Sequence, residues 1–414
     1  MKKILALPGV FLPHNETITL IVYKHLRNLD ADIDVLAYSA KEDESLINQL
    51  KKDEKYKKFN TNTINFDWKD LFIKEGNKNV FKIFSNFLKY KKEALRMANK
   101  NNYDIVYSSS VPAYTQYPAY LIKKKNKDKI KWIASFSDPI KDNLYIEEAN
   151  KRYKNLSIKG KIAFHIENYI HNNPKQQELA LNYADLLIFP NEELRDYMIG
   201  NSKILLEKSL VISFNYIEEW DIYQKLISGT EATNNEKVKF IHFGNIYGLR
   251  KVEKVLQALK EMKEEKNRKD FAFIQYGPVE PYVIELVKEY NLEEIFQIKD
   301  KISYEECMTK MKKEADVLVI FDTILEQDAL QPWIPSKILE YILTKKPIFS
   351  VTTKRSAVFR ILKDNNICVS YDVEDIKRGI VEQLEDVSER EYDFKQFENE
   401  KVINETLIKY IEKW

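Results

Sequence analysis

Short runs of apolar and β-branched residues alternate with longer stretches whose apolar positions recur every three or four residues, the pattern of parallel strands joined by crossover helices. In the first half, Ile4–Leu7, Ile33–Tyr38, Ile105–Ser108, Trp132–Phe136 and Asp185–Phe189 read as buried strands. Thr17–Leu29, Val80–Ala98, Pro112–Lys125, Lys161–Tyr183 and Asn191–Gly200 read as helices between them. The pattern breaks at residues 228–237, which are polar, aperiodic and without a large apolar side chain, so this stretch is predicted to be a linker. A second series follows, with strands at Val238–Phe243, Phe271–Tyr276, Ile295–Ile298, Val317–Phe321 and Pro347–Val351. Its helices are Lys251–Glu264, Pro281–Tyr290, Tyr304–Ala315, Pro335–Thr344 and Asp375–Leu384. The expected architecture is α/β, with two doubly wound domains in tandem at 1–227 and 238–394, and the cleft between them is the default site.

Composition narrows the class. A chain of 414 residues, 44% hydrophobic and 31% charged, can bury two cores of ordinary size. Lys and Arg total 66 against 64 Asp and Glu, so no global charge bias favours nucleic acid, and any basic surface is local. Cys307 and Cys368 are too few for a disulfide framework and lack metal-ligand spacing; they are expected reduced and buried. The opening Met1-Lys-Lys-Ile-Leu-Ala-Leu-Pro8 reads as a first strand, because its apolar run stops short of a signal-peptide core. No segment approaches the roughly 20 apolar residues that span a bilayer.

Four segments carry candidate chemistry. In Gln331-Pro-Trp-Ile-Pro-Ser336-Lys337-Ile-Leu-Glu340-Tyr-Ile-Leu, Pro335 suits the first helical position, which places the amides of Ser336 and Lys337 among the unsatisfied donors. They can bind an anion, with Lys337 adding charge and Glu340 accepting from two vicinal hydroxyls. The same residues also fit an ordinary amphipathic helix. Gly244-Asn-Ile-Tyr-Gly248-Leu-Arg250-Lys-Val-Glu-Lys254 follows a strand, and its glycines permit close backbone approach. Arg250 and Lys254, one helical turn apart, can share an anion, or be solvated surface charges. Gly277 ends the next strand, where it can shape a pocket or form a plain turn. Near the N-terminus, Gly9 to His14 and Asn15 join a strand to a helix at the carboxyl edge, where open α/β sheets place ligands.

The order Phe243-Gly-Asn-Ile-Tyr-Gly-Leu-Arg250, Gln275-Tyr-Gly277, Ala315-Asp-Val-Leu318 and Pro335-Ser-Lys-Ile-Leu-Glu340-Tyr341 with Lys346-Pro347 resembles the donor half of GT-B glycosyltransferases. The retaining group called family 4 is most similar. Trp132-Ile-Ala-Ser-Phe-Ser-Asp138-Pro139 and Tyr183-Ala-Asp185-Leu-Leu-Ile-Phe-Pro190-Asn191 extend the resemblance to the first half. It implies two Rossmann-like domains facing a cleft, a nucleotide diphosphate sugar on the second, a glycan or lipid-linked acceptor on the first, and a C-terminal helix, 395–414, packing back on the first domain. Carried onto this chain, the pattern puts Glu340 on the donor ribose and Arg250 with Lys254 on the diphosphate, in a retaining transfer that needs neither metal nor cofactor. Where the family has a second glutamate touching the sugar, this chain has Pro332; Glu326 or Asp328 from the preceding loop can replace it. That departure keeps a silent GT-B subunit, binding a partner glycosyltransferase or a glycan, as an alternative. A sugar-nucleotide epimerase is a second.

On the acceptor side, Asp138 at a strand end can orient or deprotonate a hydroxyl, or form a turn before Pro139. His14 can contact the sugar or phosphate, while His25, His165, His171 and His242 fall within helix or strand patterns and suit packing or surface roles. Between Lys82 and Lys131 twelve basic residues face Glu93, Asp104 and Asp128, with Phe81, Phe84, Phe87, Tyr90 and Tyr103 interleaved. Such a surface suits peripheral contact with anionic lipid by a cytoplasmic protein, or consists of solvated faces over a core.

Overall fold

The computed structural model describes residues 1–14, 17–42, 44–67, 80–110, 113–146, 157–213, 237–266, 270–323, 329–392 and 403–414. Asn15, Glu326, Asp328 and the predicted linker up to residue 236 lie outside the described residues. Contacts divide the chain into two compact units, Met1–Phe214 with Glu400–Trp414, and Asn215–Asn399.

The first unit holds a seven-stranded parallel sheet in the order β3-β2-β1-β4-β5-β6-β7. Its strands are β1 (Lys2–Gly9), β2 (Ala31–Ser39), β3 (Phe59–Asp67), β4 (Ile105–Ser109), β5 (Lys131–Ser135), β6 (Leu186–Phe189) and β7 (Ser209–Val211). The second unit holds a six-stranded parallel sheet, β10-β9-β8-β11-β12-β13. Here β8 is Val238–Phe243, β9 Phe271–Tyr276, β10 Phe296–Lys299, β11 Val317–Phe321, β12 Ile348–Val351 and β13 Ile367–Val369. In both sheets the order reverses beside the first strand, between β1 and β4 and between β8 and β11. At such a switch point the neighbouring crossovers leave in opposite directions and open a crevice at the carboxyl edge. The last described turns, Ile403–Leu407 and Ile408–Glu412, belong to the first unit, where the Tyr410 hydroxyl donates to the Glu207 carbonyl at 2.9 Å. No described helix is long and apolar enough to cross a membrane.

Three departures from the sequence expectation have local causes. Lys161–Tyr183 is two helices, Ile158–His171 and Pro174–Tyr183: Pro174 lacks the N–H that would continue the first, and Asn173 caps the second by accepting from the Lys175 amide at 3.1 Å. The strand β3, Phe-Asn-Thr-Asn-Thr-Ile-Asn-Phe-Asp, escapes a hydrophobic reading because it is an edge strand paired only with β2. The helix expected over Pro335–Thr344 spans only Ile338–Leu343 (α12). Residues 335–337 form the turn before it, in which the Ile338 amide donates to the Pro335 carbonyl at 3.2 Å.

Both faces of the second sheet are covered. Along β8, Phe240 faces an aromatic layer with Phe271, Phe273, Phe296 and Phe349, while Ile241 and Phe243 face the opposite layer with Leu318, Ile338, Tyr341 and Ile342. Phe240 and Phe273 stack at 4.7 Å. The helix α14 (Val373–Glu385) packs on the first layer through Gly379. A Cβ there would collide with Val369 Cγ1 and lie 3.1 Å from Phe349 Cε2 and 3.2 Å from Ile367 Cγ2. Val369 and Ile367 are stiff β-branched side chains and Phe349 is a fully buried ring, and none can swing away. Gly379→Ala is expected to lower the unfolding free energy by about 1 kcal/mol despite the better helix propensity of alanine; a raised urea midpoint would show that the helix can lift off the sheet at no cost.

Candidate functional site

The site of the second unit is built on the ends of β8, β9 and β11, beside the switch point. Two loops leave β8 and β9 together. The Gly244 amide donates to the Tyr276 carbonyl at 2.8 Å, the Ile246 amide to Pro278 at 3.0 Å, and the Glu280 amide back to Ile246 at 3.2 Å. The Glu280 carboxylate accepts from the Gly248 amide at 3.1 Å. Both lead glycines are required: Gly244 has φ 131° and Gly277 φ 122°, and a Cβ on Gly277 would stand 2.7 Å from the Gly244 carbonyl oxygen.

Gln275 holds this arrangement from beneath. Its Nε2 donates to the carbonyls of Gly244 at 2.5 Å and Gly277 at 3.2 Å, and its Oε1 accepts from His242 Nδ1 at 2.6 Å. A carbonyl oxygen can only accept, so Nδ1 carries the proton and Nε2 presents a lone pair. Lys337 Nζ sits 3.2 Å from that Nε2 and donates to the Phe243 carbonyl. The amine occupies the space that a side chain at residue 244 would need. As an ammonium it has three N–H donors, and these two contacts use two of them. Burial pushes the Lys337 amine down to about 7, Arg250 adds to the fall, and Cys307 and Glu340 oppose it. His242 is held well below its ordinary value by burial and by Lys337. The imidazole is therefore neutral, and the lysine is poised between its two charge states.

Arg250 supplies the second cation. Its guanidinium donates to the Asn245 carbonyl at 3.3 Å and lies 5.4 Å from the centre of the Tyr247 ring. No described carboxylate forms an ion pair with it. Arg250 and Lys254 are not one turn apart on a helix, because that helix, α9 (Glu253–Lys266), begins beyond Arg250. Lys254 instead lies over the Tyr371 ring at 5.4 Å, and Lys337 takes its expected place beside Arg250. Glu340, half-buried on α12, is within electrostatic reach of Lys337, Cys307 and Tyr341. Tyr341 is fully buried beneath the loop, and its hydroxyl accepts from the Phe243 amide at 3.0 Å. Ser336 is exposed in the turn before the helix, so the cations gathered here are side chains rather than the terminus of a long helix. Cys307 and Cys368 are half-buried, with thiols pushed up to about 12 and about 11 by burial.

Spacing does not reveal His242, whose strand pattern suits a packing or surface role, or Gln275, Asp322, Gln331 and Thr352, whose side chains meet their partners only in the fold. Among the described residues no group of three or more His, Cys, Asp or Glu side chains could hold a metal ion.

In the first unit, Gly9 ends β1 with φ 84°, and its amide donates to the Tyr90 hydroxyl at 3.3 Å. His14 lies beyond it, buried, with Nδ1 2.8 Å from the Lys41 carbonyl. Asp138 follows β5, half-buried, and its carbonyl accepts from the Ser110 hydroxyl at 3.3 Å. Both residues stand at the carboxyl edge. Of the interleaved aromatics, Phe87, Tyr90 and Tyr103 are core, whereas Phe84 is 38% exposed on the helix α3 (Val80–Lys100).

No family model matches this sequence, and no curated protein does. Solved structures match along its whole length. One, reported as "Trehalose-6-phosphate from E. coli bound with UDP-2-fluoro glucose", aligns with a TM-score of 0.61 at 10% identity over 99% of this chain and 97% of its own. A lipopolysaccharide outer core galactosyltransferase, WaaB, aligns with a TM-score of 0.58 at 12% identity over all of both chains. A structure assigned to UDP-N-acetylglucosamine 2-epimerase from Listeria monocytogenes gives 0.56 at 10% identity over 100% of this chain and 98% of that one. At such identities the likeness establishes the fold: two parallel α/β sheets matching the two Rossmann-like domains of GT-B structures.

Proposed function

We propose that this chain is a glycosyltransferase that takes a sugar from a nucleotide diphosphate and passes it, with retention and without a metal, to a glycan or lipid-linked acceptor. The observation that carries the reading is the pair of cations, Lys337 and Arg250, gathered at Gly244 with no described carboxylate paired to the arginine. The charge of Arg250 adds to the burial that disfavours protonation of Lys337, and a diphosphate bound there would relieve that repulsion. Structures of the same fold bound to UDP-2-fluoro glucose and to UDP support a nucleotide as that anion. Glu340 would then hold the ribose hydroxyls, Gly244 and Gly277 would admit the diphosphate against the backbone, and Ser336 and Lys254 would lie at its margin. As the anomeric C–O bond to phosphate breaks, Arg250 and Lys337 take up the developing charge. The acceptor oxygen bonds to the same face of the sugar, and its proton passes to the leaving diphosphate. Asp138, His14 and Gly9 are the residues proposed to line the acceptor side.

Two other readings have an observation each. The match to an epimerase structure favours turnover of the donor alone, which would yield a new sugar nucleotide without an acceptor. Pro332 at the position of the family's acid favours a silent subunit that binds a partner. For the acceptor, the exposed face of α3 carries Phe84 and Leu88 and then Lys89, Lys92 and Arg96, an apolar step followed by a basic one. That order suits an anionic membrane surface; the protein is expected to float with anionic vesicles at low salt, and indifference to them would remove the lipid-linked acceptor from the proposal.

Donor binding is read by thermal unfolding against UDP-, GDP-, ADP- and dTDP-sugars, with and without chelator. One class is expected to stabilise the protein by about 2.7 kcal/mol at a hundredfold excess over Kd. Chelation should leave that effect intact, and Glu340→Ala should remove about 1–2 kcal/mol of it; stabilisation by none of the four would favour the silent subunit.

Binding should also take up a proton. Lys337 is half-protonated near pH 7 in the free protein, and a bound diphosphate favours the charged amine, so the bound value lies higher. Affinity for the sugar nucleotide, whose diphosphate diester does not titrate here, should fall about tenfold per pH unit between the free and bound values and be flat below the free one. Calorimetry at pH 6.5 and 8.5 checks this, and Lys337→Met should abolish the slope.

A further inference from the structure

Asp322 follows β11 at the carboxyl edge and is 2% exposed. Its Oδ1 accepts from the Thr323 amide at 2.8 Å and from Gln331 Nε2 at 3.0 Å, and its Oδ2 accepts from the Thr352 hydroxyl at 2.7 Å. Gln331, fully buried, donates also to the Thr323 carbonyl at 3.1 Å, and its amide donates to the Arg355 carbonyl at 2.9 Å. Thr352 shares a hydrogen bond with Ser356 at 2.7 Å, and Ser356 caps the following helix, Ala357–Leu362, by accepting from the Phe359 amide at 3.0 Å. One carboxylate thus joins the ends of β11 and β12 to Gln331, from which residues 332–337 run to Lys337. Neutral donors alone do not require a buried charge, since an asparagine could make comparable bonds without the cost of desolvating an anion. Burial raises the Asp322 carboxyl above its ordinary value, and its bonds to Thr352, Thr323 and Gln331, with a smaller contribution from the Arg250 charge, oppose that rise.

We propose that Asp322 is a positioning residue for the anion site, fixing the approach to Lys337 through Gln331 before any ligand binds. The idea rests on the reading of that site as one that takes a diphosphate, though not on the nucleotide. Positioning differs from simple electrostatics in sign. Removing a negative charge near an anion site raises the local potential and should tighten binding; removing the group that sets the geometry of the approach to Lys337 should weaken it.

The probe is inorganic pyrophosphate, measured by calorimetry on the full chain. In Asp322→Asn, whose amide can accept from Gln331 and donate to Thr352, the dissociation constant is expected to rise about tenfold. In a Lys337→Met background the same substitution should have a much smaller effect, because the residue it positions is gone. Tighter or unchanged binding in Asp322→Asn, or effects that simply add, would overturn the proposal, as would wild-type protein that ignores pyrophosphate. Binding of pyrophosphate with indifference to every sugar nucleotide would defeat the nucleotide reading and leave this one standing. Should Asp322→Asn not fold, Gln331→Met keeps the carboxylate and the volume while cutting the link to residues 332–337. It is expected to weaken pyrophosphate binding likewise, and an unchanged constant would count against the proposal.

Discussion

Parallel pairing is the constraint on which the rest of this structure depends. With every strand in each sheet running the same way, each crossover must return the chain across a face, so both faces are covered and all the loops that follow strands collect on one edge. The strands become apolar runs through most of their length, and polar side chains are pushed to the strand ends. His242, Gln275 and Asp322 are each at or next to a carboxyl end, within or just beyond a segment whose other side chains are core. The same constraint that builds the core delivers these groups to one place.

That logic also decides how much was legible in the sequence. Val238–Phe243, Phe271–Tyr276 and Val317–Phe321 are read residue for residue, because a strand buried on both faces is a mostly apolar run, broken here only by Lys239, His242 and Gln275. The edge strand β3, the short β7 and β13, and the helices Lys203–Glu207 and Ala357–Leu362 were not seen, being too short or too polar for any period to show. Lys337, Glu340, Gly244 and Arg250 stood out as residue types with a role near a phosphate. The supporting groups did not. A histidine and a glutamine at strand ends carry no signature until the fold sets Nδ1 against Oε1, and the pairing of Lys337 rather than Lys254 with Arg250 depends on where α9 begins.

The site is held by buried polar groups that stabilise the fold only because each finds a partner. Gln275 satisfies two carbonyls and an imidazole, and Tyr341 supplies the acceptor for the Phe243 amide that no strand partner reaches. Lys337 is the exception, an amine buried at the expense of its own charge.

The bridge between Ile246 and Val279 bears on how this edge can change over time. Loops at the carboxyl ends of parallel strands ordinarily accept insertions one at a time, since each runs over the surface independently of its neighbour. Here the loops after β8 and β9 are laced together from Gly244 to Glu280, so a residue added to one shifts its register against the other. Length variation in this pair is confined to compensated changes, and the loops behave as a single inherited part.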